Sequence, residues 1–123
     1  MTQLIEPHGG ILCDLLIQGE KLNQLKKDSL HLESLILNDR QLCDIEMLLN
    51  GSFSPLAGFL TEANYNSVVN NLHLSDGKIW PIPITLDVKQ EFSKSITIGD
   101  KIVLRDHEGV ALAVLTISDK WTP

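Results

Sequence analysis

The chain has no long hydrophobic run. Its longest apolar stretch, from Val110 to Ile117, is far shorter than the ~20 residues a membrane-spanning helix needs. Aromatic residues make up only 5% of the 123 positions, and there are two cysteines, Cys13 and Cys43. These stand thirty positions apart with no Cys or His at ligand spacing, which argues against a zinc site and reads as two buried, reduced thiols. The N-terminus, MTQLIEPHGG, lacks a basic region followed by an apolar core, so no export signal is evident and a cytoplasmic setting is expected. Cations are scarce as well. Ten Lys and Arg against sixteen acids give a formal charge of −6, which repels nucleic acid and anionic lipid.

Catalytic signatures are missing too. No Gly-x-x-x-x-Gly-Lys-Ser/Thr loop occurs, since Gly77-Lys78 is followed by Ile79, and a nucleotide-phosphate loop is therefore not expected. His31, His73 and His107 lie at no helical ligand spacing from one another, so no metal residue is expected. Ser52 and Ser54 flank Phe53 without a Gly-x-Ser-x-Gly elbow, and they read as turn serines. His8 beside Gly9-Gly10 reads as a turn; an anion-holding nest there would need a backbone conformation that composition does not specify. Asp44 and Glu46, two apart on a helix, point in different directions and make no acid/base pair. The expected inventory is thus no catalytic, no cofactor-binding and no metal residue.

What is present is an ordinary soluble composition, 43% hydrophobic and 21% charged, long enough for one small core. Gln18 to Ser29 is polar and reads as a solvated connection. Ser34 to Leu37 reads as a short strand. Asn38 can N-cap a helix from Asp39 to Leu49, with Gln41 in the capping-box position and Gly51 as the stop. Leu42, Ile45 and Leu49, widened by Cys43 and Met47, predict a largely apolar circumference. Ser54-Pro55 breaks the helical course, and Ser52 to Phe59 reads as an ordered loop with two aromatic anchors. Thr61 caps a second helix, Glu62 to Leu72, weakly because Asn64 replaces the acid of a full capping box. Ser75-Asp76-Gly77 is a turn.

From Trp80 the period becomes two, with Ile82, Ile84, Leu86 and Val88 on one face, which predicts a strand whose prolines, Pro81 and Pro83, confine its start to an edge or corner. Gln90 to Ser95 reads as one helical turn. Lys101 to Arg105 and Val110 to Ser118 read as strands joined by His107-Glu108-Gly109. The last is apolar on both faces, so a closed or strongly curled sheet is expected.

The segments PHGGILCDLL, RQLCDIEMLLNGSFSPLAGFL, LSDGKIWPIPITLDV and GDKIVLRDHEGVALAVLTISDKW, in this order over essentially the whole chain, resemble the N-terminal domain of the ATP sulfurylase (sulfate adenylyltransferase) family. The resemblance implies an α+β fold, a PUA-like small mixed β-barrel with flanking helices, spanning 1–123 and truncated before its end. It implies a parent reaction of ATP with sulfate giving adenosine 5′-phosphosulfate and pyrophosphate, with ATP and Mg²⁺ bound in a later nucleotidyltransferase domain. That domain's Gln-Thr-Arg-Asn-Pro, His-x-x-His and Gly-Arg-Asp motifs do not occur here, so no catalytic residue carries over and the chain by itself is expected to be inactive. The expected partner is that catalytic domain, with self-association of the isolated chain possible through an uncovered apolar patch. The alternative is a free-standing PUA-like binding module for RNA, which the acidic charge opposes.

Overall fold

The computed structural model describes residues 8–10, 12 and 15–123. Two compact units emerge, and the division falls inside a helix: Glu46–Thr85 with the residues up to Leu16 form the first, and Ile17–Ile45 with Leu86–Pro123 form the second. The helices are α1 (Glu20–Ser29), α2 (Asp39–Leu49), α3 (Glu62–Asn71) and α4 (Gln90–Ser95), and the strands are β1 (Glu33–Ile36), β2 (Lys101–Arg105) and β3 (Ala111–Thr116).

The second unit is built on a mixed sheet of order β1-β2-β3, in which β1 pairs parallel and β3 antiparallel with β2. Consecutive residues of a strand point to opposite faces, so the complete burial of Ile102, Val103 and Leu104 means that β2 is covered on both. The two-sided burial expected of the last strand therefore belongs to the central one. β3 is exposed or half-buried along its length, and it starts at Ala111 because Val110 closes the turn, donating its N–H to Asp106 Oδ1 at 2.9 Å. Arg105 ties the sheet's end together, giving Nε–H to Ser34 Oγ at 2.8 Å and Nη1–H to the Gly109 carbonyl at 2.9 Å. Lys120 closes the opposite side by donating to the Ser93 and Ile96 carbonyls at 2.8 and 2.7 Å, which caps the open end of α4.

Two predicted elements need correction. The polar stretch expected to be a connection is α1. Leu22, Leu25 and Ser29 recur at i, i+3 and i+7 and turn inward, and the remaining Glu, Lys, Gln and Asn residues are solvated helix positions rather than loop. The strand expected from Trp80 to Val88 does not form. Ile84, Leu86 and Val88 still face inward by alternation, but Ile82 is exposed, and in place of a ladder the segment makes isolated backbone bonds, Trp80 N–H to the Leu72 carbonyl at 2.9 Å and Leu60 N–H to the Ile84 carbonyl at 2.8 Å. Pro81 and Pro83 offer no N–H for a ladder.

α2 begins and ends as predicted, with the capping box formed in both directions: Gln41 N–H to Asn38 Oδ1 at 2.8 Å and Asn38 N–H to Gln41 Oε1 at 2.9 Å. Its inward face differs. Gln41, 3% exposed, points inward because its Nε2 also donates to the Asp87 carbonyl at 3.0 Å. That orientation buries Ile45 and Leu48, leaves Leu42 and Leu49 half-buried, and turns Cys43 and Met47 outward. Cys43 is therefore an exposed free thiol, not a buried one; Cys13 lies outside the described residues. Arg40 pairs at 3.3 Å with Asp44, as expected at i, i+4, and with Asp87. Burial holds the Asp44 carboxyl above the usual aspartate range against the opposing pull of Arg40. Its contribution to stability therefore grows as pH falls.

Gln41→Ala keeps the backbone N–H donated to Asn38 Oδ1 but removes the Oε1 acceptor of the Asn38 N–H and the amide that donates to the Asp87 carbonyl. A loss of about 1–3 kcal/mol is expected in urea denaturation, and an unchanged midpoint would show that the network is incidental.

Candidate functional site

Within the first unit, three segments far apart in sequence meet. The His8–Gly10 turn takes positive φ at Gly9 (76°) and Gly10 (84°). At Gly9 the need is also steric, because a Cβ would stand 2.9 Å from Pro55 Cγ, 3.0 Å from Pro55 Cβ and 3.2 Å from Lys78 Cδ. His8 donates its Nε2–H to the Ile79 carbonyl, since a carbonyl can only accept. The imidazole of the expected turn is thus engaged in holding the hairpin rather than presented to an anion.

Trp80 lies buried below, with the His8 ring centroid 6.0 Å away and the Phe53 ring edge-on at 5.7 Å. Phe53 is one of the two predicted aromatic anchors. The loop that carries it is fastened by Ser54 Oγ–H to the Gly51 carbonyl at 2.6 Å and by Leu56 N–H to the Phe53 carbonyl at 2.9 Å. Ser54 is therefore buried and committed to its turn. Among the described residues the buried indole Nε1–H of Trp80 has no hydrogen-bond partner, a cost of about 1–3 kcal/mol that the aromatic packing offsets.

Beside this junction the Pro55–Thr61 loop, the start of α3 and the hairpin turn enclose an open cleft of about 230 Å³. Leu56, Leu60 and Leu74 line it as buried apolar residues, and Thr61, Asn64, Asp76 and Lys78 supply its polar groups. Thr61 caps α3 as predicted, accepting Asn64 N–H at 3.3 Å. Asn64 does not complete a capping box; its Oδ1 instead accepts the Ser75 N–H and Oγ–H at 2.9 and 2.7 Å, which fixes the hairpin to the helix. The Gly77 turn forms as read, with φ 91° and Gly77 N–H donated to the Leu74 carbonyl at 2.9 Å.

Lys78 Nζ lies 2.9 Å from Asp76 Oδ2. The hydrogen bonds from Lys78, side chain first and backbone second, hold the Asp76 carboxyl below its ordinary value. Chemically the cleft is modest. Pockets for metabolites run to about 300–1,000 Å³, and its one cation is matched by its one carboxylate. It suits a side chain or a few waters, not a nucleotide.

Elsewhere, no group of three or more His, Cys, Asp or Glu positioned to hold a metal occurs among the described residues, and no helix among them is long and apolar enough to cross a membrane. The sequence reading named no site residue. The cleft lay beyond it because Gly9, Pro55 and Lys78 are brought together only by folding; the one available signal was the unusual density of Gly, Pro and aromatic residues in those three segments.

Comparison with known proteins now bears on the chain. Residues 5–123 match the family model of the PUA-like domain. The sulfate adenylyltransferase of Eremothecium gossypii is 48% identical over 121 residues, covering 98% of this chain and 24% of that protein. Its namesake from Saccharomyces cerevisiae is 46% identical over 120 residues, covering 95% and 24%. Among solved structures, the hexameric APS kinase from Thiobacillus denitrificans superimposes with a TM-score of 0.86 at 45% identity, over 98% of this chain and 24% of that one. The chain thus spans about a quarter of the length of the relatives it matches, in their N-terminal region.

Two outcomes test the site's geometry. Gly9→Ala combines a left-handed backbone with a contact against a rigid proline ring, and should lower stability by about 1–3 kcal/mol, read as a drop in the thermal midpoint; an unchanged midpoint contradicts the close fit. Because the Asp76 carboxyl is held low when folded, its stabilising contribution is complete above the ordinary aspartate pKa and lost as pH falls through the depressed one. In an NMR titration Asp76 should therefore titrate below a peptide aspartate, and Lys78→Ala should return it upward.

Proposed function

The chain belongs to the PUA-like domain family, and from that membership we propose that it is the non-catalytic N-terminal part of a sulfate adenylyltransferase, supporting a catalytic nucleotidyltransferase part that follows it. The observation that carries this reading is the match of nearly the whole chain, at 48% identity, to the N-terminal region of an enzyme of that name.

The local chemistry supports the non-catalytic half. Among the described carboxylates that flank a cation, Asp76 is bonded to Lys78 and Asp44 to Arg40, and the cleft is too small for ATP. This cleft therefore does not fit a Mg²⁺–ATP complex, which supports placing the parent reaction outside it. The role proposed is mechanical. A rigid unit packed on the catalytic part restricts the conformations in which ATP and sulfate meet, and orientation of this kind is a large share of the barrier in a displacement at phosphorus.

Two measurements decide it. The reading frame beyond the Pro123 codon should continue into nucleotidyltransferase motifs of the Gln-Thr-Arg-Asn-Pro and His-x-x-His kind; a stop there removes the proposed parent. The purified chain with ATP, Mg²⁺ and sulfate should release no pyrophosphate above the protein-free control, and sulfate-dependent release would overturn the non-catalytic assignment.

A further inference from the structure

We propose that Asn50–Gly51 is a site of spontaneous modification, at which the folded turn after α2 promotes loss of ammonia from the Asn50 side chain, giving a cyclic imide and then aspartate or isoaspartate. This reading goes beyond the function just given and does not depend on it.

The chain carries one Asn-Gly and one Asp-Gly dipeptide, Asn50–Gly51 and Asp76–Gly77. Both are open in principle to the same reaction, in which the backbone nitrogen of the glycine attacks the preceding side-chain carbonyl carbon and closes a five-membered ring. Glycine permits this because no Cβ crowds the attacking nitrogen. The two glycines have similar φ, 86° and 91°, so the difference between the sites lies in the groups that would react.

At Asn50 these groups are poised. The side chain is exposed, and its Oδ1 accepts the Ser52 N–H at 2.9 Å. That bond spans Gly51 and brings the amide carbon towards the nitrogen lying between, which is orientation supplied before the reaction begins. It also sets a donor on the oxygen where negative charge develops during attack, as an oxyanion hole does. Gly51 is buried, and among the described residues nothing accepts its N–H. A buried donor without an acceptor is costly, and the cost disappears when the nitrogen gives up its proton and enters the ring. The glycine is held from its other side, where its carbonyl accepts Ser54 N–H at 3.1 Å and Oγ–H at 2.6 Å.

At Asp76 the same groups are withdrawn. Gly77 N–H is already donated to the Leu74 carbonyl at 2.9 Å. The carboxylate accepts Lys78 N–H at 3.0 Å and faces Lys78 Nζ at 2.9 Å, contacts that keep it ionised, and an ionised carboxylate offers no leaving group comparable with ammonia.

The chemistry at Asn50 balances without an oxidant or reductant. As the bond from Gly51 nitrogen to Cγ forms, the Cγ–Nδ2 bond breaks and the proton from Gly51 leaves with the amide nitrogen as ammonia. Solvent water then opens the imide. Opening at Cγ gives aspartate, and opening at the main-chain carbonyl of Asn50 gives isoaspartate, with the chain rerouted through Cβ. Either product places a carboxylate at the negative end of α2, and isoaspartate lengthens the backbone that carries Phe53 to Trp80.

Peptide mapping by mass spectrometry follows both dipeptides in the purified chain, folded and in guanidinium, at one mildly alkaline pH. Asn50 should pass from amide to acid, with an isoaspartate form resolved by chromatography, at least as fast in the folded chain as in guanidinium. Isoaspartate at Asp76 should form about tenfold more slowly in the folded chain than in guanidinium. Ser52→Pro removes the N–H given to Oδ1; it should slow the folded reaction at Asn50 by about tenfold and leave the denatured rate unchanged. Asn50 reacting more slowly folded than denatured, both dipeptides responding alike to folding, or a folded Ser52→Pro chain reacting at the parent rate each overturns the proposal. If Ser52→Pro does not fold, the comparison of the parent chain in its two states decides alone.

Discussion

The first unit depends on how closely the backbone at Gly9 approaches the ring of Pro55. Only a residue without a Cβ fits there, and only at a φ that L side chains rarely adopt. Given that fit, His8 reaches the Ile79 carbonyl and covers Trp80, Phe53 closes on the indole from its edge, and Pro55 and Lys78 become walls of one cleft. Loss of the approach would uncover the largest aromatic side chain of the unit and leave the hairpin attached to α3 chiefly through Asn64 and Ser67.

The second unit is organised differently, around a buried amide. Gln41 completes the cap of α2 and reaches the Asp87 carbonyl, so one side chain fixes both where the helix starts and where the returning chain runs beside it. A hydrophobic residue at that position would bury more apolar area but satisfy none of these groups, and an unmet buried amide or carbonyl costs more than the area returns. The sheet beneath is a separate, apolar matter, with Leu37, Ile102, Val103 and Leu104 at its centre. Polar specification and apolar burial are thus divided between different elements of the same unit.

Local signals were legible in the sequence. The Asn38–Gln41 box, the Gly51 stop, the Thr61 cap and the Gly77 turn each act over three or four residues, and each appears where its chemistry places it. The bounds of α4 and β2 follow for the same reason. What failed was non-local. The helical stripe of α1 consists of Leu22 and Leu25 amid polar residues, so average polarity concealed its period. The alternation after Trp80 describes an extended chain, yet a strand requires a partner, and pairing is not written in the segment itself. Cys43 faces outward because Gln41 faces inward, a choice made by Asp87 forty-six positions away. The family resemblance was legible from the same motifs that build the cleft, though their meeting point was not.

The pairing of β1 with β2 has a consequence for how the chain comes together. Glu33 stands opposite Ile102, so the first strand must wait for a partner sixty-nine positions downstream, with the whole of Glu46–Thr85 made in between. At ribosomal rates of about 5–20 residues per second that is a wait of roughly 3–14 s. Loop-closure entropy also slows parallel pairing over such a distance. During that interval the Glu46–Thr85 segment, whose internal contacts are closer in sequence, can condense first, and the sheet is completed around a chain that already carries a folded insert.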